Sequence, residues 1–279
     1  MSRNSSRVQA EPSTPQASQP QEVARRTANT EFVELPSGGK FYPKDHPLHN
    51  QEVVEIRFMT ARDEDILSSP TLLRKGLALD KFTQGILVDQ TIKVEDLLIA
   101  DKSAIMIAAR ITGYGSDYRV SVRCPECETE GEHEIDLENY SRWFIEAECD
   151  DALFTPTDDG TFKATLPVSQ QEITVRLLTS KDEKRMEKVL ESKRKNKLAE
   201  SPTTDLLKAI TVSIGDVRDR NQLAEVIMDL PARDSFFVRR NYTKIVPKIE
   251  MKENLECMYC GTETETEVPL GATFFWPDE

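Results

Sequence analysis

Two short cysteine pairs are the side chains in this sequence best suited to chemistry. The first lies in Arg123-Cys124-Pro125-Glu126-Cys127 and the second in Glu256-Cys257-Met258-Tyr259-Cys260-Gly261. Two thiolates separated by two residues can grip one metal ion from a tight turn. Four sulfurs together supply the tetrahedral, all-thiolate set that a structural Zn(II) prefers. Cys124, Cys127, Cys257 and Cys260 are therefore the candidate metal ligands, and Zn(II) the candidate cofactor. The spacing departs from a compact four-cysteine site, where about 15–20 residues separate the pairs. Here Cys124 and Cys257 are offset by 133 residues, as are Cys127 and Cys260. One ion must then join segments far apart in sequence, unless each pair acts separately. Unmetallated buried thiols and a disulfide are the alternatives. Cys149 is left over, with no neighbouring general base to mark it as a nucleophile.

Each pair needs a hairpin tip to present it. Tyr118 to Val122 and His133 to Leu137 supply strand-like flanks for the first; Lys248 to Met251 and Thr264 to Val268 do so for the second. Both hairpins are strongly acidic: Glu126, Glu128, Glu130, Glu132 and Glu134 crowd one, and Glu263, Glu265 and Glu267 the other.

That charge agrees with the whole chain. It has 279 residues, a net charge of −13 and a pI near 4.9. A binder of nucleic-acid backbone needs a basic face, so the zinc ribbon is not expected to bind nucleic acid. No apolar run reaches the ~18 residues of a membrane span, and no apolar leader opens the sequence. Cysteine pairs in such a chain favour metal over disulfide. Catalytic motifs are lacking. The only histidines are His46, His49 and His133, none in an H-E-x-x-H setting, and no small-molecule substrate site is legible. Gly39-Lys40 fails as a phosphate loop, because Glu34 stands where its first glycine belongs and Phe41 replaces the Ser/Thr. Four cysteine ligands also leave a zinc no open position for water. The expectation is a protein that is not an enzyme.

Three stretches are expected: a disordered tail over residues 1–30, rich in Ser, Gln, Pro and Thr; a first α+β half over 31–150; and a second over 151–279. In the first half, Leu35 to Pro43 predicts a turn at Gly38-Gly39 on which Phe41 and Tyr42 pack, and Val53 to Phe58 a strand. Thr60 with Asp63 predicts a capped helix from Ala61 to Ser68, broken at Pro70. Further helices are expected over Leu77 to Leu87 and Asp101 to Arg110, the latter ended by Gly113 and Gly115. Tyr140, Trp143 and Phe144 are expected to pack on the hairpin. In the second half, Phe162 to Leu166 and Ile173 to Leu178 predict strands. Ser180 with Glu183 predicts a capped helix running into the basic stretch Lys193 to Lys197. Thr204 to Ile214, Arg220 to Leu230 and Pro231 to Tyr242 predict three more helices. Phe274-Phe275-Trp276-Pro277 is expected to be anchored on its own hairpin.

The halves repeat. Ile56 to Glu64 aligns with Val175 to Glu183 at an offset of 119. Leu97 and Asp101 align with Leu230 and Asp234 at 133, the offset of the cysteines. Each half reads as strand, capped helix, helices and knuckle hairpin. The expected fold is α+β: two pseudo-repeated halves joined by a split four-cysteine zinc ribbon.

The runs Leu35 to Pro43, Met59 to Leu67, Arg74 to Gly76, Asp101 to Ile105, Ala109 to Gly115 and Cys124 to Cys127, taken in order, resemble the baseplate hub protein family of T-even-type contractile-tailed bacteriophages. The resemblance is densest over residues 35–127. It implies a structural component of the virion's tail baseplate, assembled in the host cytoplasm among other baseplate and tail proteins and without catalysis. The alternative is a chaperone-like assembly factor for the hub that is absent from the mature virion.

Overall fold

The computed structural model describes residues 29–148, 153–268 and 272–275. The expected tail (residues 1–28 of 1–30), Cys149, Trp276 and Pro277 lie outside the described residues.

The chain opens with β1 (Thr30–Glu34) and β2 (Val53–Arg57), an antiparallel pair that turns Val33, Val54 and Ile56 inward. β1 lies partly in the expected tail. The turn between them depends on Gly39, whose φ is +70°. A Cβ there would meet Gln51 O at 2.3 Å and Leu48 O at 2.5 Å, so only glycine fits. Tyr42 is buried, as expected, and Phe41 packs against the core.

Helix α1 (Ala61–Ser68) starts at Thr60 with the expected Thr60/Asp63 capping box. Pro70 does not simply break it. It opens a second short helix, α2 (Pro70–Arg74), because proline suits a first helical turn where no N–H is needed. Helix α3 (Ala78–Ile86) follows. Helix α4 (Ile99–Tyr114) is longer at both ends than expected. Gly113 lies inside it, and the terminator is Gly115, at φ +84°. The first hairpin is β3 (Asp117–Arg123) with β4 (Glu130–Asp136).

The strip after it, β5 (Phe144–Ile145), does not stay on that hairpin. It pairs with residues 248–249, and the Trp143 Nε1–H donates to Glu253 at 3.1 Å, both in the second half.

Next come β6 (Thr155–Pro156), β7 (Thr161–Thr165) and β8 (Glu172–Arg176). Helix α5 (Ser180–Lys195) ends in the basic stretch, as expected, but its cap is one residue earlier than expected. Thr179 and Asp182 form the box, not Ser180 and Glu183; Ser180 is buried and its hydroxyl has no partner. Helix α6 (Pro202–Ile210) stops four residues short of the expected end, and Thr211–Ile214 forms β9. These residues, of which Thr211, Val212 and Ile214 are β-branched, complete an antiparallel sheet in the order β6-β7-β8-β9, and sheet pairing overrides the helical reading. Helices α7 (Arg220–Met228) and α8 (Ala232–Ile245) lead to β10 (Lys248–Ile249), the partner of β5. The second hairpin is β11 (Lys252–Glu256) with β12 (Glu263–Glu267).

The fold is thus mixed α+β, with eight α-helices and several small antiparallel sheets among the described residues. A single hydrophobic cluster runs from Val33 through Ile105 and Phe162 to Phe275. Phe274 and Phe275 are buried, but not on the second hairpin as expected. Phe275 meets the ring of Phe82 at 5.3 Å and Phe274 that of Tyr118 at 5.1 Å. Arg110, itself buried, donates to the Phe274 carbonyl at 2.9 Å. The C-terminal aromatics therefore pack on α3, α4 and β3.

Candidate metal centre

Each knuckle is built by backbone hydrogen bonds that recur at the same offset of 133. The Cys124 N–H donates to Thr129 O at 3.0 Å and the Glu128 N–H to Cys124 O at 2.9 Å. The Cys257 N–H donates to Thr262 O at 3.0 Å and the Gly261 N–H to Cys257 O at 2.8 Å. The residue after the second cysteine has positive φ in both: Glu128 at +59° and Gly261 at +70°.

The tips meet. The sulfurs of Cys124 and Cys260 lie 3.7 Å apart, those of Cys127 and Cys257 3.6 Å apart, and all four fall within 4.8 Å of one another. A Zn–S length of ~2.3 Å implies tetrahedral edges of about 3.8 Å. A disulfide would need about 2.05 Å, and all four thiols are free. The donor set and its spacing therefore fit a tetrahedral thiolate-bound ion such as Zn(II).

The surroundings prepare sulfur for negative charge. The hydroxyl and backbone N–H of Thr129 pull the Cys127 thiol down to about 6. Those of Thr262 pull Cys260 down in the same way. The N–H groups of Cys127 and Glu126 point at the Cys124 sulfur and pull its pKa down as well. Burial and the thiols of Cys260 and Cys127 outweigh them, and Cys124 is pushed up to about 11. Thiolates this close repel one another, and a divalent cation at their centre removes the conflict. Only about 10 Å³ of space remains beside Cys124 and Cys257, among Val122, Leu255 and their neighbours. That is marginal for one water, and it suits a closed site whose role is to hold two hairpins together.

Other repeated contacts lie behind the knuckles. Arg57 grips Asp63 with two hydrogen bonds of 2.7 and 2.8 Å, and Arg176 grips Asp182 with two of 2.6 and 2.7 Å. Each aspartate also closes its helix's capping box. Both pairs sit at the offset of 119. Asp101, buried in α4, accepts from the Ser37 N–H, the Ser37 hydroxyl and the Tyr42 hydroxyl. Asp234, buried in α8, accepts from the N–H groups of Val168 and Ser169. The sequence aligned these acids but not their partners. The Leu-Pro pairs at Leu35 and Leu166, each opening the turn its acid holds, are the signal that could have found them.

A split-knuckle α+β protein with a closed four-cysteine centre is the class these observations define. Residues 27–149 match the family described as T4 bacteriophage base plate protein. That stretch, 123 of the 279 residues, is similar to the family its motifs suggested. No match was found among curated proteins or among solved structures.

Proposed function

We propose that this chain is a non-catalytic structural component of the hub or inner region of a contractile-tail baseplate. One Zn(II) on Cys124, Cys127, Cys257 and Cys260 staples its two pseudo-repeated halves into an adaptor for other baseplate and tail proteins. The observation that carries this reading is the position of the cysteines relative to the family match. The matched stretch, residues 27–149, holds only one knuckle, and the sulfurs that complete its site come from Cys257 and Cys260. The likeness of the Arg57–Asp63 pair to the Arg176–Asp182 pair, and of the turn held by Asp101 to the turn held by Asp234, supports the repeat. No helix among the described residues is long and apolar enough to cross a membrane. A closed thiolate site has no position for substrate, which supports the absence of catalysis.

The second reading is an assembly factor that helps the hub form and then leaves. Deleting the gene and examining the lysate separates the two. Absent baseplates, with this chain present in purified wild-type virions, support the structural component. Absent baseplates, with the chain missing from virions, support the assembly factor. Normal tails with complete baseplates defeat both.

A further inference from the structure

Helices α5, α6 and α7 line a cleft of about 380 Å³, at one side of which lies the Arg176–Asp182 pair. That volume falls within the range of ligand-holding clefts. Its floor is apolar, with Met186 and Val189 from α5 and Leu223 and Ile227 from α7. Its acids are already spent: Asp182 is held by Arg176 at 2.6 Å and Asp205 by Lys193 at 2.5 Å. Three exposed cations remain on the rim, Arg185, Lys208 and Arg220, and none has a carboxylate within ion-pair reach among the described residues. In a chain of net charge −13, an uncompensated positive cleft over an apolar floor is built for something acidic with an apolar tip.

The second knuckle has that chemistry. Met258 and Tyr259, the two residues between its cysteines, are 71 % and 66 % exposed. The first knuckle has Pro125 and Glu126 in their place. Directly behind the tip, Glu256 faces Glu263 across the β11–β12 pair, both exposed. Like charges opposite one another weaken a hairpin, and no ion pair among the described residues offsets them.

We propose that the Met258–Tyr259 tip of one copy docks in the α5–α6–α7 cleft of a second copy. The two apolar side chains enter over Met186 and Leu223, while Glu256 and Glu263 meet Arg185, Lys208 and Arg220. The contact is heterologous, because tip and cleft are different surfaces. It therefore propagates, closing into a ring or continuing as a filament. It is smaller than a stable interface of about 800 Å² per partner, so it is weak alone and strengthens when many copies are held together. The proposal is independent of the baseplate reading.

Sedimentation velocity on the zinc-loaded full chain, from low to high micromolar concentration and at low and high salt, tests it. Expected is concentration-dependent association that salt weakens. Met258→Ser/Tyr259→Ser and, separately, Arg185→Glu/Arg220→Glu each raise the apparent dissociation constant roughly tenfold or more. Mixing the two variants restores one intact tip and one intact cleft, so they pair one to one and grow no further. Lys208→Glu serves if Arg185→Glu/Arg220→Glu does not fold. A wild-type chain that stays monomeric, or association that neither variant weakens, overturns the proposal.

Discussion

At Glu128 the first knuckle holds a side-chain-bearing residue at φ +59°, where the second uses Gly261 at +70°. The left-handed conformation costs an ordinary residue on the order of 1 kcal/mol. The Glu128–Arg123 ion pair is exposed and contributes little. Glu128→Gly is therefore expected to raise stability by about 0.5–1 kcal/mol without changing metal content, measured by chemical denaturation of the zinc-loaded protein. The two caps predict a pH dependence. Burial raises the Asp63 and Asp182 carboxyls, but their bonds to Arg57 and Arg176 and to the caps outweigh it. Both end below the ordinary carboxylate range. A lowered folded-state pKa means that the stabilisation is complete above the unfolded value, about 3.9. It is lost as pH falls through the folded values. Asp101 acts in the opposite sense. Burial raises it despite the hydrogen bonds of Ser37 and Tyr42, so its contribution falls as pH rises from the unfolded value to the folded one. Asp63→Asn/Asp182→Asn is expected to be less stable than wild type near neutral pH, by about 1–3 kcal/mol for each broken, partly exposed pair. It is also expected to lose most of the wild-type decline below about pH 4. A variant that keeps that decline would show that the acid sensitivity lies elsewhere.

At the scale of elements, the C-terminal turn is the clearest case of a segment placed by distant partners. Phe274 and Phe275 fill space among Phe82, Tyr118 and the buried Arg110, which also donates to the carbonyls of Gly115 and Asp117. Phe275→Ala is expected to cost about 3–5 kcal/mol. Truncation after Gly271 is expected to cost more, since it also strips an acceptor from a buried guanidinium. Hydrogen exchange after truncation should increase in α3 and α4, against which the turn packs. An increase confined to the second hairpin would mean that the turn belongs there instead.

For the whole molecule, the expected keystone is the metal. Structural zinc supplies about 10 kcal/mol or more of folding free energy where its site forms only on folding. One zinc per chain is expected by elemental analysis, and Cys257→Ser should lower it. Chelation should loosen the two hairpins together, because each holds half of the ligand set. The hydrophobic cluster that runs from Val33 to Phe275 should keep the rest compact. A chain that binds no zinc would end the staple reading and leave the baseplate match untouched.

Much of this was legible from residue types at short spacing. The C-x2-C pairs announced their hairpins because a knuckle is a local structure. Thr60/Asp63 marked a helix start for the same reason, and the motifs from Leu35 to Cys127 pointed to the baseplate family. Ser180/Glu183 misled because Thr179/Asp182, one residue earlier, fits the same local rule. The choice between them is made by Arg176, which reaches Asp182 from β8. Thr211 to Ile214 were misread because pairing with β8, not propensity, makes them a strand. Periodicity also could not show that Trp143 would reach Glu253, or that Phe274 would lie on Arg110, 164 positions away. Local hydrogen bonds and steric preferences act over a few residues and leave a trace in sequence. Which buried surfaces meet is decided only when the whole chain closes on one core, and here that closure brings Cys124 within 3.7 Å of Cys260.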